Sequence, residues 1–319
     1  MARRPFVVVP SLTAIAIGYR NDAATFIADD VLPRMPVYGE SFKWTEFPLA
    51  EGFRAPDNRV GRTGRVNRVE FSSEERTSAV ENFGLEAPIP ISDIEEAERM
   101  RSQNLGNADP EGDAVALLTH YNLINRERRV AALVQNPGLY PAGLRLALAG
   151  SDQFSDFASS DPIDTIKTAM GSLLVHRPNQ VTMSFKTWDK IRSHPKLIRA
   201  VKGGLTDEGM ITREQFAALF DLKKVLIGEA YLDTARFGQA PDIRRIWGND
   251  MVFQFINPAP ARGSVTHGFT ATYGTKFAGR YEDENVGLEG GRVIREGEKL
   301  KELIVAPGAG FLLQDVVAE

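Results

Sequence analysis

Hydrophobic and polar positions follow two different periods along this chain, and the change of period divides it. The longest helical stretch runs from Pro110 to Gln135. Within it Ala114, Leu117, Leu118, Tyr121, Ile124, Ala131 and Val134 recur mostly at three- and four-residue steps. Asp109 is placed to cap this helix, Pro110 suits its first position, and Asn136-Pro137-Gly138 stops it. Such a rod would be roughly 39 Å long, well above the usual helix of about 11–12 residues. Before it, Ser92 and Glu95 form a capping-box pattern that predicts a helix of about 12 residues, ended by the polar break Asn104 to Asp109. After it, residues 138–161 are loop-like. Asp161-Pro162 then opens a helix carrying Ile163, Ile166, Ala169, Met170 and Leu173.

From Gln180 the pattern alternates short strands and helices. It predicts a strand Val181 to Phe185, short helices around Trp188 and Ile198, a helix Arg213 to Phe220 and a strand Val225 to Tyr231. That block reads as a compact α/β unit. From Ile246 the chain is mostly β, with candidate strands Val252 to Ile256, Phe269 to Tyr273 and Leu303 to Phe311. Gly287 to Gly291 reads as a turn. The whole is an α+β chain without a repeat of 20–50 residues.

The first third is different. Residues 1–40 read as an extended arm, and Pro33 and Pro36 should make it track a surface. Residues 41–72 read as a long hairpin. Ser41 to Phe47 places Phe42 and Trp44 on one face, and Arg65 to Phe71 alternates Val69 and Phe71 with Arg68 and Glu70. Between them lie Gly52, Pro56, Gly61 and Gly64, which is turn chemistry. The outer hairpin has nothing of its own to bury against.

Composition narrows the function. The chain has 319 residues, 43% of them hydrophobic, enough for a packed core. No apolar run approaches the ~20 residues of a membrane span. The start, Met-Ala-Arg-Arg-Pro, lacks the apolar core of a signal peptide and reads as a short arm. There is no cysteine, which excludes disulfides and thiolate metal sites and fits a reducing cytoplasm. A net charge of −4 argues against a free-standing DNA-binding domain. It suits a protein that faces nucleic acid without gripping it.

The search for catalytic chemistry returns little. His120, His176, His194 and His267 are isolated, with no metal-ligand spacing, and read as surface or packed residues. No nucleophile-elbow, Walker or dinucleotide fingerprint occurs. The acids of Asp156 to Asp164 lack EF-hand spacing and read as helix caps. No catalytic residue, cofactor or metal is expected. The unusual cluster is the hairpin's arginines: Arg54, Arg59, Arg62, Arg65 and Arg68, followed by Arg76. Guanidinium forks suit bidentate pairing with carboxylates. A phosphate-binding loop and a solvated loop are the other readings. Few aromatics interleave with the arginines, so contact with another subunit is favoured, against acidic patches such as Glu95, Glu96 and Glu98.

Several stretches resemble the major capsid proteins of tailed bacteriophages, which share the Hong Kong 97-type fold. They are Asn21 to Val37, Phe83-Gly84-Leu85-Glu86-Ala87-Pro88-Ile89-Pro90, Asn179 to Pro195, Leu226-Ile227-Gly228-Glu229-Ala230 and Ile246-Trp247-Gly248-Asn249-Asp250. Together they span about residues 21 to 275 in the family's order. The resemblance implies an N-terminal arm (1–40), an E-loop hairpin with its return strand (41–90) and a P-domain holding a spine helix (91–160, helix 110–135). It further implies a region mainly of A-domain (161–245) and closing strands of both domains (246–319). The implied function is a structural subunit, not an enzyme. It would form hexamers and pentamers of an icosahedral shell around double-stranded DNA, assembled in the host cytoplasm and found in the virion. A portal, a separate scaffolding protein and a decoration protein would be its partners. Lys43 lies at the hairpin base and the tip has no lysine, so no lysine–asparagine cross-link is expected. An encapsulin-like nanocompartment shell and an α/β enzyme are the rival readings.

Overall fold

Two β-sheets, each faced by helices, carry the chain. The computed structural model describes residues 7–8, 26–46, 53–70, 72–104, 109–204, 206–236, 238–259 and 264–318. The first half comprises β1 (Val7–Val8), α1 (Ala28–Val31), β2 (Arg34–Pro36), β3 (Ser41–Glu46), β4 (Glu74–Ala79), β5 (Glu81–Pro90), α2 (Ile91–Ser102), α3 (Pro110–Val134) and β6 (Arg145–Ala147). Then follow α4 (Pro162–Gly171), β7 (Gln180–Ser184), α5 (Phe185–Arg192), α6 (Pro195–Val201), α7 (Arg213–Phe220), β8 (Lys224–Gly228), β9 (Tyr231–Asp233) and β10 (Ile243–Arg245). The chain closes with β11 (Met251–Gln254), β12 (Gly268–Thr272), β13 (Phe277–Asp283), β14 (Gly291–Ile304) and β15 (Gly310–Gln314).

The first sheet is built along β14. Strand β5 runs antiparallel on one side of it, in register from Glu81↔Leu300 to Pro90↔Gly291. On the other side β13 and β12 lie end to end, and β2 joins β12 in parallel. Helices α2 and α3 cover this sheet through Ile94, Val115 and Leu118, packed on Ile89, Ala278 and Ile294. The second sheet has the order β6-β15-β11-β7-β8. Every residue of β7 is buried, because α4 to α7 close over the sheet with Ile166, Trp188, Ile198 and Phe216. A third cluster joins the sheets: Val31 and Leu32 meet Val130 and Val134 of α3, Trp247 and Leu312. Gly228 is required at this junction, since a Cβ there would lie 2.0 Å from Trp247 Cδ1.

Much of the helical reading holds. Asp109 caps α3 by accepting from Gly112 N, with Pro110 at the first position. Asp161 caps α4 by accepting from Ile163 N and Asp164 N. Helix α7 spans Arg213–Phe220 with a full capping box, Thr212 to Gln215.

Other expectations need correction. The capping box at Ser92 and Glu95 is absent: α2 begins at Ile91 after Pro90, and Ser92 Oγ donates to Asp93 instead. The hairpin returns at Glu74–Ala79, not at Arg65 to Phe71, and residues 65–70 form no strand. Those residues meet no ladder, so alternation alone leaves them irregular. Phe47 and Phe71 lie outside the described residues. On α3, Leu117 and Tyr121 face outward, while Val115 and Val130 are buried. The arm does not track a surface throughout. Ile27, Ala28, Val31 and Leu32 are buried, and Pro33 and Pro36 flank or end a short edge strand. The strand expected over Leu303 to Phe311 is two strands with a 3-10 turn at Pro307–Ala309 between them.

Candidate assembly surfaces

The arm is fixed to the body by buried polar groups. Glu127, on α3, accepts from Ile27 N at 3.1 Å and Ala28 N at 2.9 Å, and from Trp247 Nε1 at 2.6 Å. Burial pushes its carboxyl above the ordinary range, and these hydrogen bonds partly oppose that push. Its neighbour Arg126 is 1% exposed. It donates to Asp29 and, at 3.2 Å, to Thr270 Oγ1. Arg34 reaches Asp29 at 2.7 Å and Glu298 at 2.6 Å. Partial burial works to raise the Asp29 carboxyl, but Arg126 and Arg34 outweigh it and hold the group low.

Helix α3 is tied to the sheet beneath it by charge as well as packing. Arg129 donates to Glu302 at 2.9 Å and lies 3.7 Å over the Phe83 ring. Glu111 receives Arg280 and Arg292. Glu296, fully buried, takes Thr119 Oγ1 at 2.7 Å and Lys276 at 2.5 Å. These acids lie on β14 or face it, which is why its sequence hid it. A strand whose buried positions include Glu296, Glu298 and Glu302 shows no apolar alternation.

The hairpin behaves in the opposite way. Its base is a two-stranded ladder, Ser41↔Ala79 to Glu46↔Glu74, with Lys43 paired to Glu75 and Arg76 to Glu46. Phe42 and Trp44 share a face, their rings 6.1 Å apart. Beyond the base, every residue from 53 to 70 is exposed. A turn closes with Gly64 N donating to Gly61 O. Arg54, Arg59, Arg62, Arg65 and Arg68 all lie here, and among the described residues none of the five has an ion-pair partner. Beside them Phe53 and Val66 stand 62% and 75% exposed. The structure therefore gathers the five arginines on one exposed segment, and among the described residues no carboxylate forms an ion pair with them.

Two histidines, His194 and His267, are buried, His120 is half-buried and His176 is exposed. His267 is fully buried beside Gln254 and stacks on Tyr140, and burial lowers its pKa to about 3. His194 bonds Ser160 Oγ at 3.1 Å, and burial lowers it to about 4. His176 stacks on Phe255. Among the described residues no cluster of acids and histidines could hold a metal, and no helix is long and apolar enough to cross a membrane. The hollows beside Pro90 and Leu288 and beside Met170 and Phe220 hold no grouping of acid, base and nucleophile.

No family model matches the chain. The major capsid protein of Pseudomonas phage JBD67 is 41% identical over 319 residues, all of both chains. That of Burkholderia phage BcepMu is 27% identical, with 97% of each chain covered. Among solved structures, a phage-related protein from Bordetella bronchiseptica RB50 superposes with a TM-score of 0.73 at 23% identity, covering 99% of this chain and 100% of that one. The capsid structure of the cyanophage P-SCSP1u gives 0.57 at 10% identity, with 91% and 88% covered. The likeness in fold to these two structures covers 99% and 91% of this chain. By full-length identity to a named relative, and with the fold in agreement, this chain belongs to the major capsid proteins of phages.

Proposed function

We propose that the chain tiles an icosahedral shell as hexamers and pentamers around double-stranded DNA, and that it acts without catalysis. In this reading residues 1–40 are the arm and 41–90 the E-loop hairpin with its return strand. Residues 91–160 are a P-domain with spine helix 110–135, 161–245 are mainly A-domain, and 246–319 close both domains in a Hong Kong 97-like fold. Arg54, Arg59, Arg62, Arg65 and Arg68 contact a neighbouring copy. The single observation that carries this is the hairpin tip: eighteen consecutive exposed residues, 53 to 70, with charges and apolar side chains their own chain leaves unmatched. Head-to-tail contacts of this kind close rings, and many modest contacts per subunit add up through multivalency. A separate scaffolding protein, a portal and a decoration protein complete the assembly, which takes place in the host cytoplasm before the chain reaches the virion.

Electron microscopy of the expressed full chain, with and without a scaffold, tests the shell. Large closed particles are expected. A chain that stays monomeric under every assembly condition, scaffold included, overturns the proposal. Nucleic acid extracted from purified virions separates this reading from a compartment that encloses protein.

A further inference from the structure

We propose that α1 is a wedge that sets the angle between the two sheets, and through it the curvature at which copies of the chain close. This rests on the reading above that the chain forms a closed shell, and adds what within the subunit fixes the size of that shell. Helix α1 is a single turn, Ala28–Val31, and no side chain caps its start. So short a helix has no stability of its own, and its place is set by what grips it. Both sheets do. Val31 and Leu32 are fully buried, with Val130 and Val134 of α3 and with Trp247, Val252 and Leu312 beside the second sheet. Toward the first sheet, Asp29 meets Arg126 and Arg34. Leu32 O accepts from Thr270 Oγ1 at 2.9 Å, and Pro33 O accepts from Thr270 N at 2.9 Å. Toward the second sheet, Asp30 meets Lys224 of β8 at 2.7 Å, and Val31 O accepts from Gln180 Nε2 of β7 at 3.4 Å.

The two grips are unequal. The one toward the first sheet is short and built on the buried Arg126 and Thr270. The one toward the second sheet is a long hydrogen bond and an ion pair whose side chains are 55% and 52% exposed. Such a pair is weak and adjustable. Helix α1 therefore belongs with α3 and the first sheet as one body, and the second sheet rests against it. The buried bond from Trp247 Nε1 to Glu127 is the pivot, since Trp247 is lodged against Gly228 of β8. Asp30 and Lys224 form the strut that holds the opening. Helix α3 is the lever. It runs from this joint to Glu111, which meets Arg280 and Arg292 toward the far end of the first sheet. Its 25 residues span about 38 Å, so a change of about 5° at the wedge moves the far end by about 3 Å. Copies joined through that end would then meet at a different angle.

A charge exchange in the full chain tests this. Particles are assembled with and without a scaffold, their diameters are measured by electron microscopy, and the unassembled chain is followed by small-angle scattering and thermal melting. Asp30→Lys and Lys224→Asp, each alone, put like charges at the strut. Each should raise the share of particles outside the wild-type diameter class by about fivefold. The scattering profile of the unassembled chain should change with it, while its melting stays that of the wild type because the pair is exposed. Asp30→Lys and Lys224→Asp in the same chain rebuild the pair and should return both the diameter and the profile. Single variants whose particles keep the wild-type diameter overturn the wedge and leave the shell standing. Shifted diameters that the double exchange fails to correct overturn it too. A wild-type chain that forms no closed particle overturns the shell itself.

Discussion

The arm's anchor and the hairpin's tip use charge in contrary ways. At the anchor, Glu127 and Arg126 are buried, and their hydrogen bonds end on residues of the same chain, Ile27, Ala28, Trp247, Asp29 and Thr270. At the tip, five arginines project with no ion-pair partner among the described residues. The first arrangement stabilises a subunit alone and is costly to break. The second contributes almost nothing to the lone subunit, and in the proposed function its partner is another copy. On that proposal, stability and assembly are separable by mutation.

The sharpest way to break that comparison is Glu127→Ala. It strands two backbone N–H groups and an indole N–H in the interior, and should cost about 3–5 kcal/mol. Chemical denaturation of the unassembled chain reads this as a lower midpoint. A loss under 1 kcal/mol would mean the arm is held by packing alone. Arg129→Ala comes next. It removes a charged hydrogen bond to Glu302 and the guanidinium from the Phe83 ring, for about 1.5–3 kcal/mol.

Acid is a third probe. His267 and His194 are neutral in the fold down to about 3 and about 4. The unfolded chain takes up protons on both below about pH 6.5. Stability should fall as pH drops through that window, by about 1.4 kcal/mol per unit per histidine. Glu127 acts in the reverse sense, because its raised carboxyl favours the fold as pH falls. Denaturation midpoints measured at pH 7 and pH 5 in the wild type and in His267→Gln isolate the histidine share. Equal slopes in the two chains would show that His267 does not titrate as placed. The smallest expected effect on stability is Arg62→Ala with Arg65→Ala and Arg68→Ala, within about 0.5 kcal/mol. Trypsin should cut the wild-type tip in free subunits and spare it in particles. Equal cutting in both states would remove the tip from the contacts.

The sequence disclosed what depended on local chemistry. Asp109-Pro110, Asp161-Pro162 and Thr212 begin helices because capping is settled within a few residues. What it hid depended on distant partners. Strand β14 went unread because Glu296, Glu298 and Glu302 are buried against Lys276, Arg34 and Arg129 from far along the chain. Nothing local in the sequence singles out Glu127, and only Trp247 and the backbone of Ile27 and Ala28 give it meaning. The arginine cluster was visible as composition.

The ten-pair ladder between β5 and β14 has a mechanical consequence. The hairpin's return strand β4 runs through Val80 directly into β5. A pull on the tip along that strand loads the ladder lengthwise, so its hydrogen bonds resist together and do not open one at a time. Sliding β5 out of the sheet would have to shear all ten pairs of that register at once.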